Sequence, residues 1–471
     1  MSKVTPELLR ADARREASSF RDPAGFVFWR DGRLFRHLGA AYLPHYERLM
    51  ASGLYQKLVD KRWLVSHEER EASEVPAGAA RLLEPELLPF ISHPYEWSFS
   101  MLKAAALLTL DLQAEALAHG MTLKDASAYN VQFRGAQPVF IDTLSFECRH
   151  EQAPWPAYRQ FCQHFVAPLA LMAHTDVRLA ALLRTSLDGI PLDLASRLLP
   201  RRTWLSVGLA AHLHLHARAE RRQAGADAAA LERRAGAARV RPGGVRAIVQ
   251  NLRDTLAALE WRAAASTWSD YYATAAHYGA SGVEEKTRIV DAMLRAEPPG
   301  LVWDFGANTG HFSRLAAQHH RTVVAWDFDP LCVERMFRHA QEKPGRVTPL
   351  VMDLANPSAS QGWAQAERRG LLERGPADVT LALGLMHHLV LAAQVPLAGV
   401  AGFLAQATRS LIIEFVPMSD PQASLLASRL HGGGHQYDQD DFERHFSARF
   451  RVVAREPVPG TERIVYHYQP R

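Results

Sequence analysis

The chain has 471 residues, with 54 Lys and Arg against 50 Asp and Glu, for a formal net charge of +4. That length allows two or three domains with ample core, and the near-balance of charge makes no composition-level case for a nucleic-acid or acidic-polymer binder. The three cysteines, Cys148, Cys162 and Cys332, are far apart and form no C-x-x-C, so neither a disulfide framework nor a metal site is expected, which fits a reducing cytoplasm. The opening Met1-Ser2-Lys3-Val4-Thr5-Pro6 leads into charged residues without an apolar h-region, and no run of about 18 uncharged apolar residues follows anywhere. A cytoplasmic chain without a membrane span is the expectation.

In chain order, residues 25–38 read as a hairpin around Asp31-Gly32, 42–58 as a helix, 90–97 as a hinge and 101–118 as a strongly apolar helix. Then come Lys124-Asp125, Asn130 five residues on, a turn at Arg134-Gly135 and an apolar strand ending in Asp142. This D-x4-N, hairpin and strand-end Asp resemble the catalytic and metal-binding loops of protein kinases and aminoglycoside-type phosphotransferases. The resemblance implies a kinase-like α+β fold, with Asp125 orienting an acceptor hydroxyl and Asn130 and Asp142 holding magnesium on ATP. The sequence departs from that pattern at several points. It lacks a glycine-rich phosphate loop and a V-A-I-K lysine, leaving Arg36 as the nearest basic candidate with Glu47 as its partner, and Asp142 is followed by Thr143-Leu144. The competing reading is an accessory domain in which these acids cap turns. Mg-ATP is the weaker of the two cofactor expectations.

His212-Leu213-His214-Leu215-His216 has no carboxylate or cysteine at ligand spacing, so packed or surface histidines are expected and no metal. Basic residues concentrate in 199–246 but are interleaved with acids and alanine, as in solvated helices and a linker, with a nucleic-acid or acidic-polymer surface as the competing reading. The clearest linker composition runs from Ala224 to Gly244, and a helical pattern follows from Val245 to Trp261. Trp268-Ser269-Asp270-Tyr271-Tyr272, Tyr278 and residues 286–294 form a lead-in to the next strand. The expected division is therefore an accessory domain over 1–222, a helical linker over 223–264 and a final domain over 265–471.

That final domain opens with an apolar run, Gly300-Leu301-Val302-Trp303, then Asp304, Gly306, Asn308 and Gly310, and a helix start at Phe312. A strand, a tight glycine turn and a helix let backbone approach a ligand closely. The next strand, Thr322 to Trp326, ends in Asp327 about 20 residues beyond the turn, where such folds place the acid that holds ribose hydroxyls. Asp327 is preferred to Asp329 because it sits directly at the strand end. An acid ahead of the glycines would repel a pyrophosphate but suits a cationic amino-acid portion. Further strands are expected at 347–352 (ending Met352-Asp353), 378–383 (followed by Gly384-Leu385-Met386-His387-His388-Leu389) and 411–415, with an antiparallel pair at 450–453 and 463–468.

This order resembles the class I S-adenosylmethionine-dependent methyltransferases, which implies an α/β fold with a Rossmann-like seven-stranded sheet. Asn356-Pro357-Ser358, Gly362-Trp363 and Glu414-Phe415-Val416-Pro417 resemble a bacterial subgroup in which some members carry a nodulation-protein label. The resemblance implies S-adenosylmethionine held by Asp304, Gly306, Asn308, Gly310, Asp327, Asp353 and Gly384, a lead-in region over the cofactor, and His387 or His388 as the candidate base. Methyl transfer asks mainly for alignment and exclusion of water, and a base matters only if the acceptor must lose a proton. No Asn-Pro-Pro-aromatic motif and no cysteine follows the fourth strand, which argues against the amino-methylating and cysteine-nucleophile nucleic-acid enzymes. A small-molecule or glycan acceptor selected by the N-terminal domain is expected; oligomeric state is not readable. The alternatives are a bifunctional methyltransferase and phosphotransferase, and a non-catalytic cofactor-binding scaffold.

Overall fold

The three glycine-containing turns that punctuate the sequence also punctuate the fold. In the computed structural model the described residues are 13–71, 79–223, 240–241, 243–262, 279–319, 321–428 and 437–471. In the N-terminal half, strands β1 (Arg14–Arg15), β2 (Gly25–Arg30), β3 (Arg33–Gly39), β4 (His67–Glu69) and β5 (Ala79–Pro85) form an antiparallel sheet in the order β1-β2-β3-β5-β4. The β2–β3 hairpin turns at Asp31 and Gly32, both at positive φ (51° and 73°), as a two-residue hairpin loop with the right twist requires. The helix expected over 42–58 is two helices, Leu43–Ala51 and Leu54–Asp60. Gly53, at φ 75°, breaks the ladder between them.

Strands β6 (Met121–Leu123) and β9 (Phe146–Cys148) pair with each other, as do β7 (Val131–Arg134) and β8 (Gln137–Phe140), the latter through the turn expected at Arg134-Gly135. The helix Phe99–Ala118 is apolar on most of its circumference and is buried accordingly. Helix Gly244–Ala257 lies against it, held by an Arg253–Asp111 ion pair and by Lys103 Nζ donating to the carbonyls of Ala257 (2.7 Å) and Leu259 (2.8 Å). Most of the stretch expected as a linker, 224–239, and the lead-in residues 268–278 lie outside the described residues.

The C-terminal half is built on β10 (Leu301–Phe305), β11 (Thr322–Asp327), β12 (Val347–Val351), β13 (Val379–Ala382), β14 (Leu411–Phe415), β15 (Phe450–Pro457) and β16 (Ile464–Pro470). They form one seven-stranded sheet in the order β12-β11-β10-β13-β14-β16-β15. The first five strands are parallel, and β16 is antiparallel to both of its neighbours. The parallel strands read as apolar runs because helices cover both faces. The chain moves outward from β10 to β12 on one side and restarts at β13 on the other. The carboxyl ends of β10 and β13 therefore flank the switch point at which open α/β sheets hold ligands.

The two halves share one apolar core. Phe90 meets Trp303 and Trp326 edge-on, with ring centroids 6.1 and 5.5 Å apart, and Phe133 meets Phe337 in the same way at 6.0 Å. The stretch between β12 and β13 is clamped to the N-terminal half by ion pairs: Arg374 with Glu96, Arg369 with Glu16, and Arg21 with Glu367.

Candidate functional site

At the switch point the turn after β10 is set by conformation and by hydrogen bonds. Gly306 and Gly310 have φ of 75° and 81°, and Asn308 reaches 51° between them, a region Asn tolerates better than most side chains. Asp327, at the end of β11, accepts from the backbone N–H of Asn308 (2.7 Å) and of Asp329 (2.9 Å), so the strand-end acid also fixes the glycine turn. Asp329 has a different task. It caps the helix Pro330–Glu342 by accepting from Leu331 N at 2.9 Å.

A cavity of about 280 Å³ opens here. Gly306, Asn308, Asp327, Asp353, Gly384, His387 and His388 all line it, as do the apolar side chains of Trp326, Met352 and Leu385. A Cβ on Gly306 would sit 3.3 Å from Leu385 Cδ1, and Gly384 has φ 68°, so the cavity wall depends on glycine at both points. Asp353 is exposed at the rim and accepts from Ala355 N at 2.9 Å.

Two expected residues lie behind the cavity wall. Asp304 is buried under the turn and accepts from Ser313 Oγ. Gly310 is the left-handed N-cap of helix His311–Gln318, and a Cβ there would come within 2.8 Å of Met336 Sδ. Burial pushes the Asp304 carboxyl up to about 6. The Ser313 bond opposes this, the Asp327 charge adds to it and the Lys286 ammonium opposes it. Burial raises Asp327 to about 6 as well, against the N–H groups of Asp329 and Asn308. Burial raises the cost of ionising these two carboxyls beside an apolar slot, and a ligand with positive charge would offset that cost.

His387 and His388 lie with ring centroids 4.2 Å apart, in the turn after β13 that continues as a π-helical stretch, His388–Ala392. Burial drives His387 well below the ordinary histidine value, and the neighbouring His388, Arg463 and Lys286 help. Burial lowers His388 to about 4. Both are neutral at pH 7. They are hydrogen-bonding imidazoles and weak bases, since conjugate acids held below the ordinary histidine value take up few protons at neutrality.

A buried ionic chain went unnoticed in the sequence. Lys286, from helix Gly279–Arg295, lines the cavity and bonds Glu414 Oε2 at 2.7 Å; Glu414 Oε1 meets Arg463 at 3.3 Å, and Arg463 meets Asp420 at 2.6 Å. The signal was available: Lys286 falls on the apolar stripe of its helix with Val290 and Met293, and Glu414 interrupts an otherwise apolar buried strand. Charges in such places are kept only when paired.

In the N-terminal half, the three phosphotransferase-like residues come together around Ser145. Asn130 bonds the Asp125 side chain and donates to Ser145 Oγ (3.3 Å), and Ser145 Oγ donates to Asp142. Asp125 and Asp142 also cap turns, accepting from Ser127 N (2.9 Å) and Leu144 N (3.3 Å). The expected Arg36–Glu47 pair does not form. Arg36 bonds Asp142 directly, and Glu47 faces Arg81 at 3.9 Å, because β3 runs alongside the Asp142 turn. The histidine run is packed as expected. His212 bridges Tyr158 and Asn251, and His214 bridges Ser196 and Thr203.

No family model matches the chain. Among solved structures, it resembles magnesium protoporphyrin IX methyltransferase (ChlM) from Synechocystis PCC 6803, at 20% identity, covering 43% of this chain and 98% of that one with a TM-score of 0.32. It also resembles the N-methyltransferase NodS from Bradyrhizobium japonicum WM9, at 10% identity, 41% and 98% coverage and a TM-score of 0.31. A curated relative extends over the whole molecule: nodulation protein NoeA of Rhizobium meliloti (strain 1021) is 35% identical over 460 residues, 97% of this chain and 96% of the relative. The chain belongs to the family of nodulation protein NoeA.

Proposed function

We propose that this chain is an S-adenosylmethionine-dependent methyltransferase whose N-terminal 222 residues select or present the acceptor. One observation carries the reading: the turn after β10 and the ends of β11, β12 and β13 converge on a single cavity at the sheet's switch point. The strand order, with its antiparallel final pair, supports a Rossmann-like methyltransferase sheet. The residues suit the cofactor. Asp327 offers carboxylate oxygens for ribose hydroxyls, the glycine turn offers close backbone, Met352 and Asp353 flank a slot for a flat base, and Asp304, buried behind the turn, adds a nearby carboxyl that suits an ammonium and a sulfonium.

When bound, S-adenosylmethionine supplies an electrophilic methyl group on a good leaving sulfur. The chain's part is to bind, to align and to keep water out. Gly384 leaves the carboxyl end of β13 open, and His387 and His388 offer neutral imidazoles that orient an acceptor through hydrogen bonds. The Lys286–Glu414–Arg463 chain fixes the cavity floor. A small-molecule or glycan acceptor fits this reading better than a nucleic acid. Titration calorimetry with S-adenosylhomocysteine tests it. One site weakened by Asp327→Ala is expected, whereas no binding, or binding indifferent to both Asp327→Ala and Asp304→Ala, sinks it.

The gathering of Asp125, Asn130 and Asp142 around Ser145 favours a second reading, a bifunctional enzyme that also uses Mg-ATP, although Arg36 already occupies one Asp142 oxygen. A thermal shift and turnover with Mg-ATP would support it, and neither would end it. A cofactor-binding scaffold would bind S-adenosylmethionine yet leave every labelled-methyl incubation with cell extract blank.

A further inference from the structure

Among the described residues, the two most exposed large aliphatic side chains are Leu205 (86% exposed) and Val207 (79%), and they flank Ser206 on one short turn. Leu198 and Leu215, also exposed, come from elements packed beside that turn. The turn is built firmly. His214 is buried, with Nδ1 bonded to Ser196 (2.8 Å) and Nε2 to Thr203 (2.9 Å). Trp204 stacks on its ring at 4.4 Å, and Arg218 lies over the Trp204 ring at 4.4 Å. Ser206 Oγ caps the next helical turn by accepting from Leu209 N, and Arg202 donates to the His174 carbonyl. The polar groups thus face inward, and two aliphatic side chains are held out into water.

The sequence around them is basic: residues 194–219 contain Arg197, Arg201, Arg202 and Arg218 and no Asp or Glu, although the whole chain is nearly balanced. Arg197 pairs with Asp193 at 2.7 Å, which leaves Arg201 and Arg202 as the charges beside the turn. Arg201 and Arg202 are exposed immediately before the turn. Protein interfaces concentrate aromatic anchors at their centre, whereas here the exposed side chains are aliphatic, few and rimmed by arginine. That combination matches the interfacial region of an anionic bilayer, which takes a shallow apolar insertion and attracts basic residues at its surface. No helix of the described residues is long and apolar enough to cross a membrane, so the contact would be peripheral.

We infer that the turn Leu205-Ser206-Val207, with Arg201 and Arg202, is a docking site for the surface of an anionic phospholipid bilayer. The turn inserts its two aliphatic side chains at the boundary between headgroups and acyl chains while the arginines meet lipid phosphates.

The test is flotation of the full-length chain with vesicles of phosphatidylcholine containing 30% phosphatidylglycerol, compared with phosphatidylcholine alone. Binding is expected only with the anionic vesicles. Arg201→Ala/Arg202→Ala should weaken it about 5-fold per arginine, since each basic residue near the surface contributes about 1 kcal/mol, and salt should weaken the unaltered chain similarly. Leu205→Asp/Val207→Asp should abolish it while circular dichroism and the melting temperature stay unchanged, as both side chains are outside the core. Equal flotation of that variant, or no flotation of the unaltered chain, overturns the inference. So does a self-associated or protein-bound form that the same variant disperses, because the turn would then be a protein interface.

Discussion

Replacing Arg374 with methionine would leave Glu96 stranded where no water reaches it. Glu96 is 1% exposed, and Arg374 grips it with two bonds of 2.6 and 2.9 Å; Ser358 Oγ and His93 N (2.8 Å) complete the carboxylate's shell. Burial alone would raise the Glu96 pKa. The charge and bonds of Arg374 outweigh it, with the His93 and Ser358 contributions, and hold Glu96 at about 2 against an ordinary 4.5. At 1.36 kcal/mol per pKa unit the difference is about 3 kcal/mol. That agrees with the 3–5 kcal/mol expected when one partner of a buried pair is removed.

Because the folded-state pKa lies below the unfolded one, this contribution is complete above pH 4.5 and is lost as pH falls toward 2. Urea unfolding at pH 7, followed by tryptophan fluorescence and by circular dichroism, should show Arg374→Met destabilised by about 3–5 kcal/mol. Glu96→Gln/Arg374→Met should lose less than the sum of the two single variants. A single-variant loss under about 1 kcal/mol, or strict additivity, would refute this reasoning, and with it the view that the pair joins the halves energetically.

Three further outcomes are expected. Asp304→Asn removes a carboxyl whose folded-state value of about 6 exceeds the ordinary 3.8, so the native Asp304 loses stability as pH rises from about 4 to about 6. The variant should therefore melt higher than the native chain at pH 8 and within error of it at pH 4; a lower melting point at pH 8 would count against the burial argument. Phe90→Ala opens the edge-on contact with Trp303 and Trp326, and should cost about 3–5 kcal/mol and shift the tryptophan emission; an unchanged spectrum would contradict the packing. Proton NMR of the imidazole C–H signals should find His387 and His388 flat between pH 5.5 and 8, since both titrate below that window, and a midpoint near 6.5 for either would reverse that reading.

The parallel strands were legible because an apolar run followed by a glycine or an acid marks a buried strand and its ligand-side end. Thr322 to Asp327 shows this: the strand, and the position of Asp327 rather than Asp329 on the cavity wall, follow from the pattern. Contacts between distant residues were not legible. Glu96 and Arg374 are separated by 278 residues and Lys286 and Glu414 by 128, so local pattern reports only that a charge sits in an apolar setting. Tertiary packing also reassigned some residues. Asp304 and Gly310 serve the turn from beneath, and Arg36 turned to Asp142 because strand pairing, which the sequence does not spell out, set its neighbours. The helix expected over 42–58 breaks at Gly53, where a single glycine outweighed an otherwise continuous pattern.

The most direct measurement is calorimetric titration of the full-length chain with S-adenosylhomocysteine, beside the same titration of Asp327→Asn. Saturable one-to-one binding, weakened at least about tenfold by a substitution that removes the charge proposed to face the ribose, is the expected result. No heat at any concentration, or equal affinity in both proteins, would contradict the assignment of this cavity to an S-adenosylmethionine-type ligand.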